Sequence, residues 1–426
     1  MSLRDAQRWM HAFPHGTQSY APFYVLSKHW LFMRTSAVMR VLIAFDKFKD
    51  ALNAEEACEV VARSFRKIRS APDLDLCPLS DGGEGFSRIL TKAAGGALYR
   101  HKVTGPLGKN VEGEFGLVSW KGLAPVVRSR LRIPPGREGV IGLVDMASAS
   151  GLALLSPEER NPWKTTSRGT GELLVAAAKQ GADLLLLGIG GSATSDLGLG
   201  CLQALGLQAW NHQGKEMGVV PPDCWDGVGK ITGILPSGFP GIRVACDVTN
   251  PLLGERGAVR VYGPQKGLVS RDLEKFESVT AKMARRILRL SGRGTEFLEI
   301  PGTGAAGGIG FGLMVVAGAE LVPGSDLVSD WLDLPQRIEA ADVILTGEGR
   351  FDRSSLEGKG PAALVARALE LGKKIHAFAG SVEPGLPIPT KLTLHAISPP
   401  DLPLEKALRS TGERLAQAVQ AVDWTA

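Results

Sequence analysis

Short apolar runs alternate with stretches of helical periodicity along most of the chain, and this alternation constrains the fold more than any other feature. Residues 41–45 and 184–187 are apolar throughout, and shorter or less regular runs occupy 242–246, 343–345 and 375–379. Residues 54–68 repeat apolar side chains at helical spacing, with Asn53 and Glu56 placed as a capping box. Strands buried on both faces and separated by helices predict an α/β fold with a parallel sheet.

Composition excludes several other classes of protein. The 426 residues favour two domains, and the net charge of +5 is spread without a long basic run, so nucleic acid is not an expected partner. Five scattered cysteines with no CxxC pair argue against a disulfide scaffold or structural zinc and fit a cytoplasmic protein. The longest apolar run, near residues 184–191, is too short to span a membrane. Nothing in the sequence indicates the oligomeric state.

The first 38 residues differ from the rest of the chain. They are rich in aromatic side chains, and a clear strand pattern begins only at Met39. No apolar core or cleavage site of a secretory signal follows their basic residues. We therefore interpret residues 1–38 as an extension that is untranslated, with translation starting at Met39, or disordered; a targeting or docking arm is the alternative.

A glycine-rich segment directly follows the apolar run 184–187. Residues 188–196 read GIGGSATSD, and glycines there would let backbone N–H groups approach an anion at the start of a helix. Gly190, Gly191, Ser192 and Thr194 are therefore candidate phosphate ligands. Asp196 could hold Mg²⁺ or accept a proton. The alternative is a tight turn that caps a helix.

A second glycine-rich segment, 302–310, contains the pattern G-x-G-x-x-G after residues 297–300, which we expect to be a strand. Gly304, Gly307 and Gly308 are candidate phosphate ligands. A nicotinamide dinucleotide site would also need an acidic residue at the end of a second strand, which is lacking at the expected spacing. Close helix packing through small residues is the other alternative.

Paired carboxylates accompany glycines at two further predicted strand ends. Asp81 and Glu84 lie in the segment 80–85, and Glu348 and Asp352 lie in 347–352, after a strand predicted at 343–345. Asp247 follows the run 242–246. Such carboxylates suit Mg²⁺, which keeps several waters and meets phosphate oxygens. The alternative is that they are solvated turn residues.

Basic residues that could offset phosphate charge also follow predicted strands or occupy glycine-rich turns. Lys47 and Lys49 follow the first apolar run, Arg168 lies in the hydroxyl-rich segment 165–171, and Lys266 lies in 263–267. The sequence lacks G-x-x-x-x-G-K-[ST], which excludes a Walker-type phosphate loop. Each of these cations taken alone is more often a surface charge.

Ten ordered motifs resemble the bacterial glycerate kinase family of the type distinct from MOFRL glycerate kinases. The resemblance runs from Met39 to near the C-terminus. The matching segments are 43–49 (IAFDKFK), 80–85 (SDGGEG), 103–108 (VTGPLG), 146–152, 165–173, 188–198, 244–252 (VACDVTNPL), 262–267 (YGPQKG), 301–310 and 346–352. The family usually has Ser where Lys47 stands and Glu where Asp145 stands. The Pro-, Gly- and Arg-rich segment 121–142, which we expect to be a surface loop or an insertion, is longer than usual.

The resemblance implies two α/β domains with the active site in the cleft between them. Residues 39–100 and 296–426 would form a discontinuous Rossmann-like domain with a parallel sheet, and residues 101–295 an inserted α/β domain. The implied reaction is transfer of the γ-phosphoryl group of ATP to D-glycerate with Mg²⁺, with 2-phosphoglycerate favoured over 3-phosphoglycerate as product.

The resemblance also suggests roles for the candidate residues. Asp196 would hold Mg²⁺ or accept the proton of the glycerate hydroxyl, and Lys49 and Arg168 would bind the glycerate carboxylate or the transferring phosphate. Two other functions stay open at this point. One is an NAD(P)-linked oxidoreductase that uses segment 302–307, and the other is a nucleotide-binding regulatory protein without turnover.

Overall fold

A computed structural model describes residues 38–68, 72–356 and 361–424 of the chain. Apart from Val38, the extension predicted at 1–38 lies outside the described residues. The strands are β1 (Arg40–Phe45), β2 (Asp73–Leu76), β3 (Ala97–Thr104), β4 (Asn110–Ser119), β5 (Val140–Asp145), β6 (Leu184–Gly188), β7 (Gln208–Asn211), β8 (Glu216–Met217), β9 (Val228–Thr232), β10 (Gly241–Ala245), β11 (Glu320–Val322), β12 (Val343–Phe351), β13 (Lys374–Val382) and β14 (Leu392–Ala396).

The α-helices lie between these strands, and the first one begins and ends where the sequence predicts. They are α1 (Ala54–Ile68), α2 (Phe86–Ala93), α3 (Pro125–Arg130), α4 (Ala147–Ser150), α5 (Arg168–Lys179), α6 (Leu199–Ala204), α7 (Ala258–Tyr262), α8 (Leu273–Ser291), α9 (Ile309–Ala317), α10 (Gly324–Trp331), α11 (Leu334–Ala340), α12 (Pro361–Glu370), α13 (Leu404–Arg409) and α14 (Thr411–Ala421). The capping box of α1 is confirmed. The Glu56 N–H donates to Asn53 Oδ1 at 2.9 Å, and the Asn53 N–H donates to Glu56 Oε2 at 3.0 Å.

Two larger sheets and one small one organise these elements. A five-stranded sheet has the order β14-β13-β12-β1-β2, with every neighbouring pair parallel. A six-stranded sheet has the order β11-β10-β6-β5-β4-β3, in which β3 and β4 are antiparallel to their neighbours. Strands β8, β7 and β9 form a small antiparallel sheet. The predicted α/β fold with parallel sheets is therefore confirmed.

Alternating side chains of the central strand β1 belong to two different hydrophobic clusters. In β1, Val41, Ile43 and Phe45 pack with α1 and α14, whereas Leu42 and Ala44 point to the opposite face. That second face belongs to a cluster that also contains Leu184 and Leu186 of β6 and apolar residues of α2, α10, α11 and α12. A continuous core therefore connects the two larger sheets within residues 38–424, which holds the loops at their strand ends in fixed positions.

The predicted domain borders stay predictions. The five-stranded sheet draws its strands from residues 40–76 and 343–396, and the six-stranded sheet draws them from 97–322. The six-stranded sheet therefore extends beyond both predicted borders, at 100/101 and 295/296. Within the part of the chain that the structure describes, we find no helix that is both long enough and apolar enough to cross a membrane.

Three local predictions are wrong. Segment 121–142 is not only a surface loop, because it contains α3, opened by Pro125, and the start of β5, with Val127 and Leu131 buried in the core. Residues 297–300 form no strand; a 3₁₀-helix, Thr295–Leu298, occupies that region. Strand β12 does not end at residue 345 but runs to Phe351, because its backbone continues to pair with β13 beyond Gly347.

Candidate active site

A cleft of about 430 Å³ lies where loops from both larger sheets meet, and we call it the glycine cleft. Ligand sites of parallel α/β sheets are expected at the carboxyl ends of strands. The cleft is lined by residues that follow four strands: Lys47 and Lys49 after β1, Asp81 and Glu84 after β2, Ile189, Gly190, Gly191 and Ser192 after β6, and Cys246 and Asp247 after β10. The structure thus brings together, in one cleft, candidate ligand-binding segments that the sequence indicated only one at a time.

The loop after β6 lies directly against the loop after β2. The Gly190 N–H donates to the Gly82 carbonyl at 2.9 Å. A Cβ atom at Gly190 would stand 2.7 Å from Gly83 Cα, which is closer than real Cβ atoms come to such a neighbour. On its other side the loop is held by Leu152, whose N–H donates to the Gly191 carbonyl at 2.8 Å. Glycine is therefore required at position 190 by the close approach of two backbones.

Lys266 lies beneath this loop, and its side chain is only 1% exposed. Its Nζ donates to Ser192 Oγ at 2.9 Å and to the Thr194 carbonyl at 2.6 Å. Burial lowers the pKa of Lys266 to about 7, although the Asp196 carboxylate acts in the opposite direction. Sequence reasoning counted Lys266 among several cations but left it out of the site. The motif that contains Lys266 could have indicated its place in the site, whereas its burial could not be predicted from the sequence.

Asp196 does not line the glycine cleft. Its side chain is 1% exposed and is surrounded by donors from the protein. Oδ2 accepts from the N–H and Oγ of Ser167 at 2.7 and 2.8 Å and from the Gly200 N–H at 3.2 Å, and Oδ1 accepts from the Gly198 N–H at 3.1 Å. A carboxylate with both oxygens engaged in this way ties the start of α6 to the segment before α5. This geometry does not support the predicted role of Asp196 as a metal ligand or proton acceptor.

The second glycine-rich segment packs against the first. The Leu197 N–H donates to the Gly307 carbonyl at 3.0 Å, and a Cβ atom at Gly307 would stand 2.0 Å from the Thr194 carbonyl oxygen. Ala305 and Ala306 line the glycine cleft. In contrast, Gly304, Gly307 and Gly308 lie behind its surface, and Thr194 is fully buried with an Oγ1 that has no hydrogen-bond partner among the described residues. The predicted phosphate role of these four residues therefore has no direct geometric support.

Part of the cleft lining is acidic. We call Asp81 and Glu84, with Asp46 and Glu348 beside them, the acidic wall. Burial, and secondarily the Asp81 carboxylate, raises the pKa of Asp46 to about 6. Burial raises the pKa of Glu348 to about 7; a hydrogen bond with Ser355 opposes this shift, and the charges of Asp46, Asp352 and Asp81 add to it. Glu348 Oε1 is buried without a hydrogen-bond partner among the described residues.

Lys47 partly balances the acidic wall. Its Nζ lies 3.5 Å from Asp81 Oδ1, which also accepts from the Gly83 N–H at 3.1 Å. Burial opposes the charge of Lys47, but the carboxylates of Asp81, Asp46 and Glu84 raise its pKa. The departure from the family's usual Ser at position 47 therefore adds a cation to this wall.

The remaining candidates fall both inside and outside the cleft. Lys49 borders the glycine cleft, and Asp247 lines it while accepting from the Ser325 N–H and Oγ at 2.8 and 2.7 Å. Asp352 lies outside the lining, with an oxygen 3.7 Å from Arg350 Nε. Arg168 is also outside, and its Nε donates to Glu172 Oε1 at 2.9 Å on helix α5. The prediction that Arg168 contacts a substrate is therefore not supported by its position.

A second cleft of about 540 Å³ adjoins the first, and we call it the neighbouring cleft. The two clefts share Lys47, Lys49, Asp50, Glu84 and Ala153. Asp145, whose pKa is raised by burial against the opposing hydrogen bonds of Ser87, also borders the neighbouring cleft. The shared residues place the two clefts next to each other, with both cations and carboxylates between them.

Comparison with known proteins assigns the family. The model of the Glycerate kinase family matches residues 41–425. The chain belongs to the glycerate kinase family. It is 35% identical over 90% of its length to the glycerate kinase of Bacillus subtilis (strain 168), covering 97% of that protein. It is 36% identical over 81% of its length to the glycerate 2-kinase of Escherichia coli (strain K12), covering 86% of that protein.

A solved structure agrees with this assignment. A crystal structure from Salmonella typhimurium LT2, provisionally named glycerate kinase 2, has 34% identity and a TM-score of 0.66, and the match covers 90% of this chain and 96% of that one. The glycerate kinase family resemblance is confirmed, and the chain is an enzyme of the kinase class. The oxidoreductase and the regulatory protein without turnover are therefore set aside. The G-x-G-x-x-G match at 302–307 is a packing motif here, since no strand precedes it.

Proposed function

We propose that this glycerate kinase family member transfers the γ-phosphoryl group of ATP to D-glycerate with the help of Mg²⁺. The observation that carries the proposal is the glycine cleft, whose lining brings the glycine-rich loop after β6 and the buried Lys266 together with carboxylates of the acidic wall. We further propose 2-phosphoglycerate as the product, because one relative at 36% identity is named a glycerate 2-kinase. The same cleft chemistry serves either product, so the position of the phosphate requires a measurement.

Phosphoryl transfer is driven by positioning and charge neutralisation more than by covalent chemistry. We assign phosphate oxygens to the loop at Gly190, Gly191 and Ser192, which lines the cleft. Lys49 borders both clefts, so we assign it to the phosphoryl group as it passes between the nucleotide and glycerate. A cation at that point stabilises the charge on the transferring oxygens.

The acidic wall is our proposed place for Mg²⁺. Mg²⁺ is commonly held by one or two carboxylates together with substrate phosphates and water. Among the described residues no group of three or more His, Cys, Asp or Glu side chains could hold a metal by itself. The acidic wall fits a metal that protein and substrate hold jointly. Asp81 and Glu84 line the cleft, and Glu348 Oε1 is buried without a hydrogen-bond partner in the described chain. When bound, Mg²⁺ would neutralise charge on the phosphate oxygens.

Two coarser features complete the proposal. We propose a cytoplasmic location, because the five cysteines are scattered along the sequence and none is spaced as a CxxC pair. We also propose that the chain divides into a discontinuous and an inserted domain. The borders would fall near residue 97 and after residue 322, where the strands change from one sheet to the other.

The test is to supply the purified chain with ATP, Mg²⁺ and D-glycerate and to measure ADP release. We expect release that requires both D-glycerate and Mg²⁺, and that stops when EDTA is added in excess. ³¹P–¹H correlation NMR of the product then distinguishes phosphate on C2 from phosphate on C3. ADP release independent of D-glycerate would contradict the proposed substrate, and a C3 ester would contradict the proposed product.

A further inference from the structure

In its charged form, Lys266 has one more N–H donor than the protein offers it acceptors. Its Nζ contacts two acceptors, Ser192 Oγ and the Thr194 carbonyl. A neutral lysine amine has two N–H groups, and a charged lysine ammonium has three. The neutral form is therefore fully used by these two contacts, whereas the charged form has a third N–H that needs another acceptor. Lys266 also lines the glycine cleft, where an acceptor could reach it.

The same contact orients the hydroxyl of Ser192. Because Lys266 donates to Ser192 Oγ, the hydroxyl proton is left to donate to another group. Ser192 lines the glycine cleft and follows the backbone of Gly190 and Gly191. An anion with several acceptor oxygens, such as a phosphate group, can accept from the Ser192 hydroxyl and from the third N–H of Lys266 together.

Few charges on the protein compete for Lys266. The carboxylate of Asp196 acts on it electrostatically, but both Asp196 oxygens accept hydrogen bonds from other residues. The other charged or titratable groups in the cleft lining are Arg160, Tyr262, Cys246, Asp247, Lys47, Lys49, Asp50, Asp81 and Glu84. The hydrogen bonds of Lys266 go to none of these groups.

We propose that Lys266 is a proton-coupled positioning residue, which holds Ser192 and Thr194 and takes up one proton from solvent when phosphate oxygens of ATP enter the glycine cleft. This inference rests on the proposed function, since it takes ATP as the anion. Burial, which lowers the pKa of free Lys266 to about 7, and a bound anion act in opposite directions on the ammonium. ATP affinity then falls about tenfold for each pH unit above that pKa, because binding requires the charged form.

The experiment counts protons by isothermal titration calorimetry of metal-free ATP into the full chain, in two buffers of different ionisation enthalpy. At pH 8 we expect the wild type to take up about 0.9 proton more than Lys266→Arg, whose charge is permanent, and at pH 6 about 0.1 proton more. Protons gained or lost by ATP or the acidic wall are common to both proteins and cancel. Lys282→Arg, an exposed substitution of the same kind on α8, should match the wild type.

The outcomes separate this proposal from its premise. Equal proton uptake by wild type and Lys266→Arg at pH 8 would overturn the role of Lys266 while leaving ATP binding in place. A wild type that gives no binding heat with ATP would overturn the proposed nucleotide, and the coupling with it. A lysine with a purely structural role would change stability and turnover on substitution, but it would not change the proton count.

A measurement on the wild type covers the case in which Lys266→Arg does not fold. In protein labelled with ¹³C at lysine Cε, we expect one resonance to titrate near pH 7 without ATP and about three pH units higher with ATP, which is the shift that an uptake of about 0.9 proton at pH 8 requires. If no lysine resonance titrates near neutral pH, or if ATP leaves that titration unchanged, the proposal is wrong.

Discussion

The two sides of the glycine cleft respond to burial in opposite ways. On the acidic wall, burial raises the pKa of Asp46 to about 6 and that of Glu348 to about 7. On the other side, which we call the amide wall (Gly190, Gly191, Ser192 and Lys266), burial lowers the pKa of Lys266 to about 7. In both places the fold disfavours the charged form. Each wall is therefore favourable for an ion of opposite charge, a cation beside the carboxylates and an anion beside the amides and lysine.

The comparison also shows where each wall gets its rigidity. The amide wall is held by backbone contacts to the loop after β2 and by Lys266 from below. In the acidic wall, Glu348 is held by strand pairing, because β12 continues through Glu348 to Phe351 beside β13, whereas Asp46, Asp81 and Glu84 lie in loops. We infer that the amide wall tolerates little change of shape, whereas the acidic wall is chiefly sensitive to change of charge.

The largest expected effect is that of Gly190→Ala, which changes the shape of the amide wall. The added Cβ would stand 2.7 Å from Gly83 Cα, so the loops after β6 and β2 must separate. We expect a loss of about 1–3 kcal/mol in the free energy of unfolding. A displacement of about 1 Å at the cleft should also lower kcat roughly 100-fold. Urea denaturation and steady-state kinetics measure the two effects.

The matched control for this change is Gly218→Ala. A Cβ atom at Gly218 meets nothing within 4 Å, so unfolding and turnover should stay as in the wild type. If Gly190→Ala resembles Gly218→Ala in both measurements, the contact between the loops is not needed for the cleft.

The second prediction concerns the support of the amide wall. Asp196→Asn places an amide NH₂ or a weaker acceptor opposite the N–H donors of Ser167, Gly198 and Gly200. We expect a loss of about 1–3 kcal/mol in the free energy of unfolding, because buried donors lose a charged acceptor. The proton acceptor role predicted from the sequence would instead leave stability nearly unchanged and abolish turnover. Asp226→Asn, at an exposed position, is the control for the stability measurement.

Much of the fold could be predicted from the sequence because its signals are local. The run 41–45, the helix 54–68 and the Asn53–Glu56 capping box are all specified by neighbouring residues, and all were correct. The errors arose where the local structure depends on contacts with segments that are distant in the sequence. Strand β12 runs past residue 345 because β13 pairs with it, and α3 is stable because Val127 reaches a core built from remote segments.

The site was less predictable for the same reason. Residue type and strand-end position pointed to the loops at Asp81, Gly190 and Asp247, and the fold brings these loops to one cleft; their role as a site stays a prediction. Spacing alone could not show which side chains face that cleft. The Asp196 side chain is engaged by protein donors and the Gly307 backbone packs against Thr194, whereas Lys266, which resembled an ordinary surface cation, is buried in the cleft lining. The burial of a side chain depends on the whole fold, so a local sequence motif does not indicate it.

The third prediction compares two cations, one at the cleft and one outside it. Lys49→Met removes an exposed charge that borders both clefts, and we expect kcat/KM to fall roughly tenfold, which is less than for a buried donor. Arg168→Met removes a charge that pairs with Glu172 on α5, outside both clefts, and should change kcat/KM little. The reverse order, with Arg168→Met the slower enzyme, would contradict the placement of the substrate in these clefts. Lys282→Met serves as the surface control.

The smallest effect is expected at the acidic wall, where Glu348→Gln keeps the shape and removes the charge. The pKa of Glu348 is about 7 in the folded chain against a usual value of 4.5. Between those two values the folded state therefore binds more protons than the unfolded state. The stability that this carboxyl group contributes is fully present below pH 4.5 and is lost as the pH rises through 7.

Glu348→Gln has no such group, so its stability should fall less between pH 4.5 and 7.5 than that of the wild type. After discounting for solvent screening at this partly exposed group, we expect a difference on the order of 1 kcal/mol. Urea unfolding midpoints at several pH values measure it, with exposed Glu255→Gln as the control that should follow the wild-type profile. Because Asp46 also carries a raised pKa, some pH dependence up to about pH 6 should remain in the variant. A variant profile parallel to the wild type over the whole range would mean that Glu348 is ionised at little cost. The acidic wall would then not oppose charge in the way that the amide wall opposes the ammonium of Lys266.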